Sequence, residues 1–152
     1  MKTLAMGVAL AVGLSLVACA PPPPKPAPKA GEKPEGYDAA VRRLADMVNV
    51  GNQFFANGRP DDASRVISDG LLMQNQILSV PQLDLAGTVA VSDLDDLYGR
   101  MLLASRHYGD ARLLFQKNLA RWRMWKPQNE ESAKQLKHAQ DQIAECDKHI
   151  LQ

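Results

Sequence analysis

The strongest constraint on this chain is that part of it occurs twice. Val50-Gly51-Asn52-Gln53-Phe54-Phe55-Ala56 aligns with Tyr98-Gly99-Arg100-Met101-Leu102-Leu103-Ala104 at an offset of 48 residues. The register continues without a gap: Asp62-Ala63 aligns with Asp110-Ala111, Ile67 with Phe115 and Leu71 with Leu119. Each copy reads as an apolar helix, a polar turn and a second apolar helix. A supersecondary unit repeated at a fixed period of a few tens of residues cannot bury its face alone and must stack on its neighbour. The expected fold is therefore all-α, built from antiparallel helical hairpins. Few aromatics (5%) and many Ala, Leu, Arg and Gln suit helices.

Gly51, Ala63 and Ile67 share their spacing with Gly99, Ala111 and Phe115. This spacing resembles the tetratricopeptide repeat, which places a small residue midway along its first helix. An Ala follows early in the second, then a bulky apolar residue four positions later. The small residue admits a close helix approach and the bulky one fills the space beside it. The resemblance covers roughly residues 46–125 and implies an array of about two repeats that binds a partner protein. Two departures stand out. The aromatic expected near the start of the first helix is Met47 in one copy and Asp95 in the other. The period of 48 also exceeds the roughly 34 residues of that family.

Helix-end signals divide the folded region, residues 37–152. Asp38 is expected to cap the first helix, which should stop at Asn57-Gly58. Pro60 suits the first turn of the second helix, with Asp61 and Asp62 at its positive end. That helix should fade before Val80-Pro81. Residues 79–91 read ambiguously, because Pro81 and Gly87 interrupt an otherwise apolar series. Ser92 with Asp95 has the spacing of a capping box for the third helix. His107-Tyr108-Gly109 marks the turn into the fourth, which ends before Pro127. A fifth helix, about 128–150, carries a narrow stripe of Ala133, Leu136, Ala139 or Gln140, Ile143 and Ile150. It has the character of a helix that caps an array.

The N-terminus has a different character. Lys2 precedes an apolar run from Leu4 to Val17, too short to span a bilayer. The run closes on Leu16-Val17-Ala18-Cys19, which resembles the lipobox of bacterial lipoproteins. The resemblance implies a signal peptide over residues 1–18, cleavage before Cys19, and a covalent lipid (diacylglyceryl, with palmitate-type acylation) on that residue. Ala20 in place of an Asp leans toward the outer membrane, with the domain facing the periplasm. Residues 19–36 are the acylated Cys and a proline-rich linker; seven of ten prolines lie here, giving a semi-rigid spacer of up to about 50 Å. With the leader removed, acidic and basic residues balance, so no nucleic-acid partner is implied. Cys146 is then unpaired, and burial on the last helix is its expected state.

No catalytic constellation emerges. Cys146 and His149 share a helix face, with His138 two turns earlier, yet a zinc site needs about four ligands. Neither a metal nor any cofactor beyond the lipid on Cys19 is expected. Asp95 and Asp96 are adjacent, so their side chains diverge on a helix. From 100 to 126 there are seven Lys or Arg and one Asp, against four Asp and no base from 84 to 96. The domain should then have a basic end. Trp122 is expected in the core, while Trp125 is left undecided. Arg121, Trp125 and Arg100 are the candidate partner-binding residues, since Trp and Arg are enriched in hot spots. The expected role is a non-enzymatic adaptor or scaffold that binds a protein in cell-envelope assembly, of the pilus, secretion or barrel-assembly kind. The alternatives are a structural subunit of a larger envelope complex, or a module that binds peptidoglycan through the basic stretch.

Overall fold

A computed structural model describes residues 33–150. Cys19, the leader and residues 19–32 of the linker lie outside the described residues. Within them the chain forms five α-helices and no strand: α1 Tyr37–Ala56, α2 Pro60–Ile77, α3 Leu85–Ala104, α4 Tyr108–Met124 and α5 Glu130–Ile150. The sequence repeat is a repeat of backbone. Both α1 and α3 span 20 residues, beginning and ending 48 apart, and α2 and α4 also begin 48 apart. The turns match as well. Arg59 N–H donates to the Phe54 carbonyl and His107 N–H to that of Leu102. Each turn passes through one left-handed residue, Gly58 (φ 69°) in the first and Arg106 (φ 66°) in the second.

α3 is the central helix, packing against α1, α2 and α4, while α5 closes the far side of α4. Leu44 and Val48 of α1, Ile67 and Ile77 of α2, and Val91, Leu94 and Leu97 of α3 form the main core. Each such side chain contributes roughly 1.5–3 kcal/mol when fully buried. A second cluster joins Ala111 and Phe115 of α4 to Cys146 of α5.

The repeat-packing residues occupy interior positions. Ala63, Ala111 and Phe115 are fully buried and Ile67 nearly so. A Cβ on Gly99 would stand 2.7 Å from two ring carbons of Phe115, so the glycine and the ring are matched. The first hairpin differs in detail. A Cβ on Gly51 would meet Leu97 Cδ2 at 2.6 Å and Val66 at 3.3 Å, so here the glycine admits α3 rather than Ile67.

Several helix ends differ from expectation. Asp38 lies inside the first turn of α1, whose N-cap is Gly36 with no side-chain cap. Tyr37 is buried and its hydroxyl donates to Asp84 Oδ1 at 3.0 Å, so a tertiary contact sets the start. Ser92 and Asp95 form no capping box; both are buried within α3, which begins seven residues before Ser92. Its cap is Asp84, which accepts from the Gly87 amide at 2.8 Å. Burial alone would raise the Asp84 pKa, but hydrogen bonds from Lys33, the Gly87 amide and Tyr37 hold it below the ordinary carboxylate range. Lys33 reaches both Asp84 (2.7 Å) and Asp38 (2.9 Å), tying the incoming chain to the start of α1 and α3. On α5 the buried positions are Ser132, Ala139 and Cys146. Ala133 and Ile150 are exposed. The seam uses small residues seven apart, which let α5 lie close against α4.

Candidate functional site

α3 and α4 carry opposite charge, and the fold presses them together. Asp95 is fully buried on α3 and accepts from Arg121 Nη2 at 2.8 Å, from Gln74 Nε2 at 2.9 Å and from Lys117 Nζ at 3.2 Å. Arg121 also donates to Ser92 Oγ at 3.0 Å and bonds Asn118 Oδ1, while Asn118 Nδ2 donates to the Ser92 carbonyl. Gln74 further donates to the Val91 carbonyl at 3.2 Å, joining α2 to the network. A buried carboxylate is tolerated here because three donors surround it.

This network relocates the sequence candidates. Arg121 is a core ion-pair partner, with its side chain 14% exposed. Arg100 is half-buried, pairing with Asp96 at 2.7 Å and donating to Asn52 Oδ1 at 2.6 Å, which ties α3 to α1. Trp122 is buried as expected, and Trp125 packs edge-on to it, part-buried, with ring centroids 6.3 Å apart. The three candidates therefore do not form one exposed anchor. Four of the seven basic residues of the 100–126 stretch are paired: Arg100, Lys117 and Arg121 with Asp96 and Asp95, and Arg112 with Asp147; Arg106, Arg123 and Lys126 are exposed.

Cys146 and the histidines part company in space. Cys146 is fully buried, and that burial pushes its thiol pKa up. His149 stacks on Tyr108 at 4.4 Å between centroids. His138 Nε2 lies 2.7 Å from Asp96 Oδ1. Among the described residues no three His, Cys, Asp or Glu side chains converge as metal ligands. Asp95 and Asp96 diverge as expected, one into the core and the other toward α5.

Among the clefts on the described surface, two have lining residues that bear on function. The first, about 370 Å³, lies between α3, α4 and α5 and is lined by Asp93, Asp96, Trp122, Lys134 and His138 among others. Asp93 is pushed up to about 6, first by burial and then by Asp96 and Glu131, with His138 and Arg100 pulling the other way. The second is an open groove of about 710 Å³ between α1 and α2. Met47, Val50, Val66, Leu72 and Met73 give it an apolar floor and walls, and its charged members are Arg43, Asp46 and Asp69. Val50 is 43% and Leu72 73% exposed, a large apolar surface for a helix pair. Sequence reasoning missed this groove. The available signal was Met47, already flagged as the odd residue at its repeat position.

No family model matches the chain. No solved structure matches it either. A stretch of 65 residues is 32% identical to a probable D-glycero-D-manno-heptose-1,7-bisphosphate 7-phosphatase of Thermoplasma acidophilum. That similarity covers 42% of this chain and 41% of the other, so the chain spans less than half the length of this curated relative.

Proposed function

We propose that this chain is a lipid-anchored, non-enzymatic adaptor that holds a protein partner in the cell envelope. The observation that carries this reading is the open apolar groove between α1 and α2, which no other described residues cover. A groove of this kind suits a macromolecular partner better than a small polar substrate. The side chains that first suggested chemistry all have packing partners: Cys146 in the second core cluster, His149 on Tyr108 and His138 on Asp96. The anchor rests on the Leu16–Cys19 motif, which resembles a lipobox and would place the domain on the outer membrane, facing the periplasm. Confining a binding surface to one membrane raises its effective concentration toward partners held there.

Photo-crosslinking in cells tests both parts. A photoreactive residue at Leu72 is expected to give a discrete adduct absent from one at Gln140, on the exposed face of α5. Cys19→Ser is expected to move the protein from the membrane to the soluble fraction. No adduct at Leu72 beyond that at Gln140 refutes the groove as a binding surface. A Cys19→Ser protein that still floats with membranes refutes the anchor.

A further inference from the structure

The 48-residue repeat shows what kind of element fits the open groove. Moved by one repeat, Met47 and Val50 become Asp95 and Tyr98, while Asp69 and Met73 become Lys117 and Arg121. In the second hairpin these positions carry packed or paired side chains. Asp95 is fully buried, Tyr98 packs on the main core, and Lys117 and Arg121 close over the carboxylate. What meets Asp95 there is also a helix: the Gln74 amide of α2 donates to both the Val91 carbonyl and Asp95. In the first hairpin no helix among the described residues takes the equivalent place, and its floor is chemically different. The ion pair is replaced by Met47 and Met73, and Lys117 by Asp69.

We infer that the α1–α2 groove is the docking site for an amphipathic α-helix of a partner protein. That helix carries an apolar residue where α2 carries Gln74, and Lys or Arg on the flanks of its apolar stripe. The inference rests on the adaptor reading and deepens it. Three observations choose this occupant. The equivalent place in the second hairpin holds a helix. Methionine side chains adapt to varied apolar shapes but give a buried amide no strong partner. Asp46 and Asp69 outnumber Arg43 in the lining, so basic flanks complement it. A second copy of this chain cannot supply the face that α2 uses, because that face is already buried against α3: Ile67, Gly70, Gln74 and Ile77 are all covered. A self-association is therefore the alternative outcome of the test.

The probes are two peptides patterned on residues 60–78, each held helical by a lactam bridge on its solvent face and each carrying Gln74→Leu. One also carries Asp61→Lys, Asp62→Lys and Asp69→Lys; the other keeps the aspartates. Binding to the intact chain is measured by fluorescence anisotropy, and self-association by sedimentation. The basic peptide is expected to bind roughly tenfold or more tightly than the acidic one. Restoring Gln74 in the basic peptide, or introducing Leu72→Glu into the protein, is expected to weaken binding by a similar factor. Leu72 is exposed, so the variant should keep its melting temperature, and a second variant, Val50→Asp, repeats the test from α1. Equal binding of both peptides, binding unchanged by Leu72→Glu and Val50→Asp, or a dimer that Leu72→Glu dissociates would each overturn the inference. If the Leu72 crosslink forms in cells yet no peptide binds, the adaptor reading stands and the helical partner falls. If neither occurs, both fall.

Discussion

Replacing Asp95 and Arg121 by methionine copies the first hairpin's residues, Met47 and Met73, onto the second. Asp95→Met alone removes a carboxylate that three donors share. Lys117 is 47% exposed and regains water, and Gln74 keeps the Val91 carbonyl. Arg121 is the group that suffers, being 14% exposed and left with only Ser92 and Asn118 as acceptors. Breaking a fully buried pair costs about 3–5 kcal/mol, and these residual contacts put the expected loss near the lower end, about 3. Arg121→Met strands a fully buried carboxylate on Lys117 and Gln74, with a loss of about 3–4 kcal/mol. The double variant removes both charges and refills the space with flexible apolar side chains. It should come within about 1 kcal/mol of the parent, giving a coupling energy of about 5 kcal/mol. Urea unfolding followed by far-UV circular dichroism measures all four proteins. Each single variant should also melt about 10 °C lower. Additive losses, with the double variant about 6 kcal/mol down, would show that Asp95 and Arg121 do not act as a pair and would refute the account of the seam.

Asp93 gives a pH signature of defined sign. Its folded pKa of about 6 lies above the ordinary 3.8, so the folded state holds its proton longer and stability falls as pH rises between those values. Asp93→Asn should flatten that limb and raise stability at pH 7.5 by about 1 kcal/mol, discounted for its partial exposure; an unchanged urea midpoint across pH 4–7 would refute the assignment. Arg106 sits at φ 66° where its repeat partner is Gly58, so Arg106→Gly should stabilise by about 0.5–1 kcal/mol and Gly58→Arg should destabilise by a similar amount, read from melting temperatures. Gly99→Ala drives a Cβ into the buried Phe115 ring; overpacking of about 1–3 kcal/mol outweighs the roughly 1 kcal/mol gain in helix propensity, and Phe115→Leu should recover part of the loss in the double variant.

The all-α hairpin array was legible because the repeat carries its own register: Gly51 with Gly99 and Ala63 with Ala111 fix where helices meet. The same offset, applied to Tyr37, points to the start of α3 at Leu85; local capping signals at Asp38 and Ser92 pointed elsewhere. Those signals lost to tertiary contacts, the Tyr37 hydroxyl on Asp84 and the burial of Ser92 beneath Arg121. On α5 a count of large apolar residues missed a seam made of Ser132, Ala139 and Cys146, because close helix contact selects for smallness as much as for hydrophobicity. The charges of the 84–96 and 100–126 stretches read as a molecule with a basic end, yet Asp95 of α3 meets Lys117 and Arg121 of α4 across one contact. Nothing in either segment alone reveals that, since pairing across 26 residues is set by the fold. The groove was hidden for the converse reason: whether Met47 and Met73 are covered depends on a neighbour that the repeat itself does not specify.

The unlike floors of the two hairpins also govern how far the array can extend itself. Chains built from interchangeable units tend to exchange them or to add end to end without limit, because a heterologous contact that does not close makes a filament. Here the units are not interchangeable. The α2 face of one copy laid on the α1–α2 groove of another would bury the Gln74 amide against Met47 and Met73, with no carboxylate to receive it, at a cost of about 1–3 kcal/mol. An all-apolar helix offered to α3 would strand the Asp95 charge, at a larger cost. The order of hairpins is thus written in the chemistry of their seams, and the α1–α2 groove disfavours the α2 face of a second copy.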